Sequence, residues 1–318
     1  MQLFKKILVI ILRVGVSIAL LVFLFKQVDK KILFEIIKKT DKFILFLGFL
    51  ILFSGYVFAL FRWQMLLKAV KIHLPLKRVI ISFSGGVFLN LFLPSTIGGD
   101  LMRSVDLTAH TKQPKKIVTT ILLDRLSGYT GMALLVLVSF AFGFRFAWER
   151  SVILSIAVIT TLLIVILLSL FNKHVYIAIS RLLHSPYAGR IRSRIRSLHK
   201  EIYYFKRHKS VIVNNLLVSI LIQITVPLAF FMIALSMGIR QNVIYFFVFL
   251  PIISAITLLP ISIGGLGLRD AAVVYFFTKV GLAKDMALAM SLINFCFIFI
   301  FGVIGGLVYV LTIRYRRK

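Results

Sequence analysis

The sequence predicts an all-α polytopic membrane protein with about six full transmembrane helices and two oppositely oriented re-entrant hairpins that form an inverted repeat. Three observations predict this fold class. Of the 318 residues, 60% are hydrophobic, whereas a soluble domain is about 45–50% apolar. The apolar residues fall in runs of about 20, the length that a helix needs to cross the hydrocarbon core. One Pro- and Gly-containing stretch occurs twice, as LPSTIGGDLMR at 93–103 and as LPISIGGLGLR at 259–269.

Six apolar runs are predicted to cross the membrane completely. The first follows a basic start that resembles a signal peptide, but Arg13 interrupts the run and no small-residue cleavage site follows. We therefore expect this run to be retained as a span. The predicted spans are 7–25, 43–61, 117–143, 151–171, 211–236 and 287–312.

Two further apolar regions, 79–110 and 243–278, are each broken by proline and a Gly-Gly pair. Short loops rich in Lys and Arg are expected on the cytoplasmic side, which assigns the loops 62–78 and 111–116 to the inside. Region 79–110 then enters and leaves from the inner face, and region 243–278 from the outer face. Hairpins of opposite orientation are typical of an inverted repeat.

The expected organisation is one integral membrane domain over 1–318. Its first half, 1–171, and its second half, 211–318, each contain one hairpin, and a basic segment, 172–210, joins them. This segment and the C-terminus are expected in the cytoplasm, as is the N-terminus, in a multi-pass protein of the cell (inner) membrane. Segment 26–42 would then lie outside despite its six Lys, and its helical spacing suggests an interfacial amphipathic helix.

The formal net charge of +29 comes from 39 Lys and Arg against 10 Asp and Glu. Most basic residues flank apolar runs, so contact with anionic lipid headgroups explains them better than contact with nucleic acid. Cys296 is the single cysteine, and no metal-binding or catalytic motif occurs in the sequence. We expect no cofactor, no metal site and no catalytic residue.

The tips of the two broken regions are the strongest candidates for a binding site. Broken helices survive in a membrane where they are buried in protein or line a cavity. Gly98-Gly99 and Gly264-Gly265 permit close approach and unusual backbone angles. The helices that follow favour anions at their N-termini, and Arg103 and Arg269 lie about one turn further on. The alternative is that the glycines pack helices and the arginines reach toward the membrane interface.

Charged residues inside apolar regions are costly and are therefore functional candidates. Each arginine has an acid nearby in the sequence, so mutual neutralisation is one interpretation. The other assigns the arginines to an anionic headgroup and the acids to coupling or charge pairing. The arginines are Arg103, Arg125 and Arg269; the acids are Asp100, Asp106, Asp124 and Asp270.

The two halves are not equivalent in these charges. Asp100 aligns with Leu266, and Asp124-Arg125 aligns with Met290-Ser291. The first half is therefore expected to select the headgroup or to carry protons.

Three blocks, LPSTIGGDLMR, LLDRLSGYTGMALL and LPISIGGLGLRDAAVVYFF, resemble those of the lysylphosphatidylglycerol synthase transmembrane-region family, also called flippase-like or UPF0104 proteins. The family's first block is of the type P-x-x-x-G-G-D-x-x-R, its second usually contains Glu-Arg, and its third is of the type G-G-x-G-x-R-E. Asp124 and Asp270 each replace a longer glutamate of these patterns. The resemblance covers essentially the whole chain.

The resemblance implies that a lipid is moved across the bilayer. In fused relatives the lipid is an aminoacylated phospholipid made by a C-terminal synthase domain; that domain is missing here, so aminoacyl transfer is not expected. Stand-alone relatives are linked to isoprenoid or glycolipid pathways.

We therefore expect a lipid flippase for an anionic-headgroup lipid: an aminoacylated phospholipid, a glycolipid or a polyprenyl-phosphate-linked species. One alternative is a membrane-embedded glycosyl- or headgroup transferase with Asp100, Asp106 and Asp124 as base or metal ligands. Another is a non-catalytic scaffold for lipid synthesis. Expected partners are membrane lipids with anionic headgroups; a second copy of the chain and lipid-synthesis enzymes are further candidates.

Overall fold

The computed structural model describes residues 30–93, 97–143, 209–257 and 264–312, together with 15, 18–20, 22–26, 161 and 262. Most of the predicted span 7–25, nearly all of 151–171 and nearly all of the basic segment 172–210 lie outside the described residues. Every element that can be bounded within the described part is an α-helix. The predicted all-α class is therefore confirmed.

Nine helices can be bounded in the described part of the chain. The first is the amphipathic helix predicted within 26–42. They are α1 (Lys30–Lys39), α2 (Lys42–Ala69), α3 (Leu76–Phe92), α4 (Ile97–Thr111), α5 (Pro114–Gly143), α6 (Lys209–Ser236), α7 (Val243–Thr257), α8 (Leu268–Thr278) and α9 (Lys284–Leu311).

Three of these helices, α2, α6 and α9, are long and apolar enough to cross a membrane. They contain most or all of the predicted spans 43–61, 211–236 and 287–312. The predicted span 117–143 lies within α5, whose 30 residues extend about 45 Å at 1.5 Å per residue.

The predicted loop 62–78 is wrong in its first part, because α2 continues to Ala69. Trp63, Leu66 and Leu67 are buried and recur at the spacing of one helix face, so the apolar side of α2 continues past Arg62. Arg62 itself is buried. Its charge is accommodated by an ion pair with Asp124 rather than by water.

An antiparallel pair of helices flanks each of the two Pro- and Gly-containing stretches. In the first, Arg78 at the start of α3 contacts Asp106 near the end of α4, and Asn90 near the end of α3 contacts Gly99 at the start of α4. In the second, Phe249 of α7 packs on Phe276 and Phe277 of α8. Before α8, Gly264, Gly265 and Gly267 have φ values of 58°, 77° and 77°, a left-handed backbone that glycine adopts without a Cβ penalty.

The helices of 42–143 recur in the same order in 209–311. We call α2–α5 the first helix set and α6–α9 the second. The first set begins its helices at 42, 76, 97 and 114, and the second at 209, 243, 268 and 284. The counterparts α2 and α6 pack against each other in antiparallel orientation, with Gly48 beside Met232 and Gly55 beside Thr225. These glycines allow the two backbones to approach closely.

Two buried apolar clusters hold the helices together. The larger joins α6–α9 to α2, with Phe230, Phe246 and Phe277 among its fully buried side chains. The smaller joins α2 to α3, α4 and α5 around Trp63 and Leu67. The smaller cluster lies directly beside the charged residues of the first helix set, since the Trp63 ring lies 4.8 Å from the guanidinium carbon of Arg103.

The last helix, α9, ties the second helix set to the first hairpin. Gly302 faces Leu91, and a Cβ at Gly305 would lie 2.8 Å from the carbonyl oxygen of Ser84. Small residues at this crossing bring α9 and α3 into close contact, so the first hairpin is held in place from both helix sets.

Candidate functional site

Five charged side chains of the first helix set form one connected group, which we call the ion cluster. Arg62 comes from α2, Asp100 and Arg103 from α4, and Asp124 and Arg125 from α5. Helices that are distant in sequence thus meet at one set of buried charges.

Asp100 bridges two arginines of the ion cluster. Arg125 binds it in a bidentate manner, with Nε 2.7 Å from Oδ2 and Nη2 2.9 Å from Oδ1. Arg103 Nη2 lies 2.6 Å from Oδ1 of the same carboxylate. Charge-assisted contacts of this length are strong, so Asp100 joins α4 to α5.

Asp124 bridges a second pair of arginines. Its Oδ1 accepts from Arg62 Nε at 2.8 Å, and its Oδ2 accepts from Arg103 Nη1 at 3.3 Å. Asp124 therefore does not pair with Arg125, its neighbour in sequence, because consecutive residues on a helix point about 100° apart.

The ion cluster is buried at one end and more open at the other. The side chains of Arg125 and Asp100 are 24% and 22% exposed, while those of Arg62 and Asp124 are 9% and 6% exposed. Among the described residues, three arginines and two aspartates give the cluster a formal charge of +1. Arg125 and Asp100 therefore form the more accessible end of the cluster.

Arg103 is held by aromatic rings as well as by carboxylates. Its guanidinium carbon lies 4.8 Å from the centre of the Trp63 ring and 5.7 Å from that of Phe83, within the range of a cation–π interaction. A Cβ at Gly86 would lie 3.1 Å from Arg103 Cγ. The glycine in α3 therefore makes room for this side chain.

Arg62 is a member of the cluster that sequence reasoning missed. Its Nη1 donates to Ser219 Oγ of α6 at 3.0 Å, and its backbone carbonyl accepts from Asn215 Nδ2 at 3.4 Å. The signal in the sequence was an arginine within FALFRWQMLL, where the apolar helix spacing continues on both sides. The prediction of a loop at 62–78 placed Arg62 outside the helix.

Asp106, a predicted charge-pairing residue, lies outside the ion cluster. It accepts from Arg78 Nη2 at 3.3 Å. Asp100 and Asp106 both lie near Arg103 in the sequence, but in the structure Asp100 pairs with Arg103 and Asp106 pairs with Arg78. Asp106 instead joins the start of α3 to the end of α4.

The second helix set holds a smaller charged group of a different kind. Asp270 accepts from Arg269 Nη2 at 2.9 Å, from Ser291 Oγ at 2.5 Å and from the Gly267 N–H at 2.9 Å. Arg269 also donates to Ser291 and lies over the Phe295 ring. One arginine and one aspartate leave this group formally neutral.

The predicted tip glycines have different roles in the two hairpins. Gly98 and Gly99 pack on α3, where a Cβ at Gly99 would lie 2.6 Å from the carbonyl oxygen of Gly86. The Gly99 N–H donates to Asn90 Oδ1 at 2.8 Å, so this N–H of the helix start is satisfied within the protein. Gly264 is exposed, and Gly265 is buried in the left-handed turn.

The tips of the two hairpins lie side by side. A Cβ at Gly264 would lie 3.4 Å from the Leu91 carbonyl oxygen and 3.7 Å from that of Asn90. A cavity of about 60 Å³ opens at this point. Its lining residues are Tyr56, Val87, Asn90, Leu91, Gly264, Phe295 and Ile298.

Within the described ranges, no group of three His, Cys, Asp or Glu side chains could hold a metal ion. Asp100, Asp106, Asp124 and Asp270 each contact an arginine. Their carboxylates are therefore engaged in ion pairs in this structure.

Comparison with known proteins places most of the chain in one group. The model of the family described as the lysylphosphatidylglycerol synthase TM region matches residues 10–306. A UPF0104 membrane protein of Pyrococcus horikoshii is 24% identical over 315 residues, which cover 91% of this chain and 92% of that protein. No solved structure matches the chain.

Proposed function

The chain belongs to the lysylphosphatidylglycerol synthase transmembrane-region family, and on that premise we propose that it is a flippase that moves an anionic-headgroup lipid across the bilayer. Its membrane-embedded, multi-pass character follows from the family and from the long apolar helices. The observation that carries the proposal is the ion cluster, with its buried surplus of positive charge and its open end at Arg125 and Asp100.

A surplus charge in a poorly solvated site favours an anion as its partner. Removing charges from water costs several kcal/mol per ion unless they are compensated, and charged residues within membranes are by default functional. A headgroup phosphate at the open end would compete with Asp100 for Arg125 and Arg103. Arginine suits this exchange, because its planar guanidinium binds carboxylates and phosphates in the same bidentate geometry.

In this proposal the two helix sets form an inverted repeat, and the two hairpins enter the membrane from opposite faces. The antiparallel packing of the counterparts α2 and α6 supports this assignment, as does the meeting of the two hairpin tips. Inverted repeats of this kind expose a central site to the two faces in turn by rocking against each other. The headgroup would pass the ion cluster while the acyl chains stay in the lipid.

The substrate classes that fit are aminoacylated phospholipids, glycolipids with a phosphate and polyprenyl-phosphate-linked species. All three offer phosphate oxygens to the arginines. In this proposal the protein moves the lipid without changing it chemically. It lies in the cell membrane, with 172–210 and the C-terminus on the cytoplasmic side.

Reconstitution into proteoliposomes tests the proposal. A fluorescent phospholipid with a phosphate headgroup is placed in both leaflets, and an impermeant quencher reports how fast the inner pool becomes accessible. Arg125→Gln should slow translocation at least about tenfold, since a hydrogen bond to a charged group contributes about 1.5–3 kcal/mol. Arg240→Gln, which changes an exposed arginine outside the cluster, is the matched control and should translocate at the wild-type rate.

Two outcomes would overturn the proposal. One is a translocation rate for Arg125→Gln equal to that of the wild type. The other is a lipid product of changed mass after incubation with lipid-linked sugar, which would make the protein a transferase.

A further inference from the structure

We propose that Arg62 is the counter-ion that keeps Asp124 from neutralising Arg103, and that it thereby gives the ion cluster its affinity for an anion. Arg62 is thus a positioning residue of the headgroup site, acting through Asp124. This inference rests on the proposed function and specifies how the charge of that site is set.

The charges of the cluster carry the first step of the argument. Without Arg62, the cluster contains two arginines and two aspartates, and both carboxylates already touch Arg103. Such a group is closed and formally neutral, and an added anion would leave it with excess negative charge. With Arg62 the same group carries a surplus of one positive charge, which an anion can compensate.

The distances show which arginine holds Asp124. Arg62 Nε lies 2.8 Å from the carboxylate, whereas Arg103 Nη1 lies 3.3 Å from it. Arg62 and Asp124 are also at the buried end of the cluster, with side chains 9% and 6% exposed. The main ion pair of Asp124 is therefore with Arg62, and its contact with Arg103 is weaker.

The second helix set provides an internal comparison. At the position aligned with Arg62, 166 residues later, α6 has Leu228. The charged group of the second set is the ion pair of Arg269 with Asp270, and Ser291 donates a further hydrogen bond to Asp270. The second set, which has no arginine at the positions aligned with Arg62 and Arg125, has a neutral group, whereas the first set has a cationic one.

The residues around Arg62 hold its guanidinium in place by hydrogen bonds and close packing. Ser219 and Asn215 of α6 are buried and bond to its Nη1 and its carbonyl, respectively. Where a Cβ would stand on Gly128, Arg62 Nη1 lies 3.3 Å away. A side chain at 128 would press on the guanidinium and shift it by a few tenths of an ångström, so α5 and α6 both border Arg62 where it meets Asp124.

The test measures the dissociation constant of the purified, full-length protein in nanodiscs for dihexanoyl phosphatidylglycerol, a short-chain anionic phosphodiester. Arg62→Gln should raise this constant about tenfold or more, because the cluster becomes neutral. Asp124→Asn should lower it, because the surplus rises to two charges. The double variant Arg62→Gln/Asp124→Asn should return to within about threefold of the wild type, since its surplus is again one.

Two further variants separate charge from packing. Arg62→Lys keeps the charge and should bind within about threefold of the wild type even if Arg62→Gln folds poorly. Ser219→Ala keeps every charge and removes one of the contacts that position Arg62, so it should raise the dissociation constant less than Arg62→Gln does. Thermal unfolding of each variant is recorded in parallel, because a purely structural role would change stability and leave the dissociation constant alone.

The inference is overturned if Arg62→Gln binds the probe as the wild type does, or if the folded double variant binds as weakly as the single one. Failure of the proposed function has a different signature, in which the wild type neither binds the probe nor translocates lipid. If Arg125→Gln loses translocation while Arg62→Gln keeps its affinity, the flippase proposal stands and the role of Arg62 is refuted.

Discussion

Replacing Arg269 by glutamine is expected to lower the free energy of unfolding by about 3–5 kcal/mol, the cost of leaving a buried charge without its partner. Asp270 is fully buried, with 0% of its surface exposed. Arg269 is the cation that contacts the Asp270 carboxylate. The other donors to this carboxylate are the Ser291 hydroxyl and the Gly267 N–H. Neither neutral donor can replace the charge that the substitution removes.

Arg103→Gln is the matched control, because Arg103 is buried to a similar degree. After this substitution Asp100 still contacts Arg125, and Asp124 still contacts Arg62. No carboxylate is then left without a cation, so the loss is that of weakened hydrogen bonds and of the cation–π contacts with Trp63 and Phe83, about 1.5–3 kcal/mol in total.

Unfolding by SDS titration in mixed micelles, followed by circular dichroism, would measure both values. The double variant Arg269→Gln/Asp270→Asn should recover most of the loss, since it removes the buried charge as well as its partner. The reasoning is refuted if Arg269→Gln costs less than Arg103→Gln, or if the double variant is less stable than the single one.

Three further substitutions have expected effects on the same unfolding free energy. Gly305→Ala should cost about 1–3 kcal/mol by overpacking, because its Cβ would lie 2.8 Å from the Ser84 carbonyl oxygen. Asp41→Ala should cost about 0.5–2 kcal/mol, since its side chain caps α2 by accepting from two N–H groups of the first turn. Asn90→Ala should cost about 1–3 kcal/mol and should speed hydrogen exchange at the Gly99 N–H, which Asn90 now satisfies.

The substitutions at Gly305 and Asp41 have controls at exposed neighbours. Val303→Ala lies on the exposed side of α9, and Lys42→Ala lies in the first turn of α2 beyond the cap; each should stay within about 0.5 kcal/mol of the wild type. Wild-type stability of Gly305→Ala would contradict the close packing of α9 on α3. Unchanged exchange at Gly99 in Asn90→Ala would contradict the side-chain cap.

Much of the helical framework was predictable from local sequence. Long apolar runs predicted the helices that now contain spans 43–61, 117–143, 211–236 and 287–312, because apolar length and periodicity are properties of contiguous residues. The repeated Pro and Gly-Gly stretch predicted two interrupted regions. The structure has a pair of helices at each, and at the second the glycines Gly264, Gly265 and Gly267 adopt left-handed angles.

The partners of the charged residues were less predictable. Proximity in the sequence suggested that Asp124 forms an ion pair with Arg125 and that Asp106 forms one with Arg103. In the structure Asp124 contacts Arg62 and Arg103, and Asp106 contacts Arg78. Neighbours on a helix point in different directions, so the pairs depend on which helices pack together and at what height.

The sequence by itself determined the membrane class, the helix order, the two broken hairpins and the inequality of the halves, since Leu266 and Met290 cannot carry the charges of Asp100 and Asp124. Only the tertiary structure decided the composition of the charged site. It brought Arg62 of α2 to Asp124 of α5 and Ser219 of α6 to Arg62, and so made the first group cationic. The physical reason is that the net charge of a buried cluster depends on every side chain that packing brings within contact, and packing joins residues far apart in the chain.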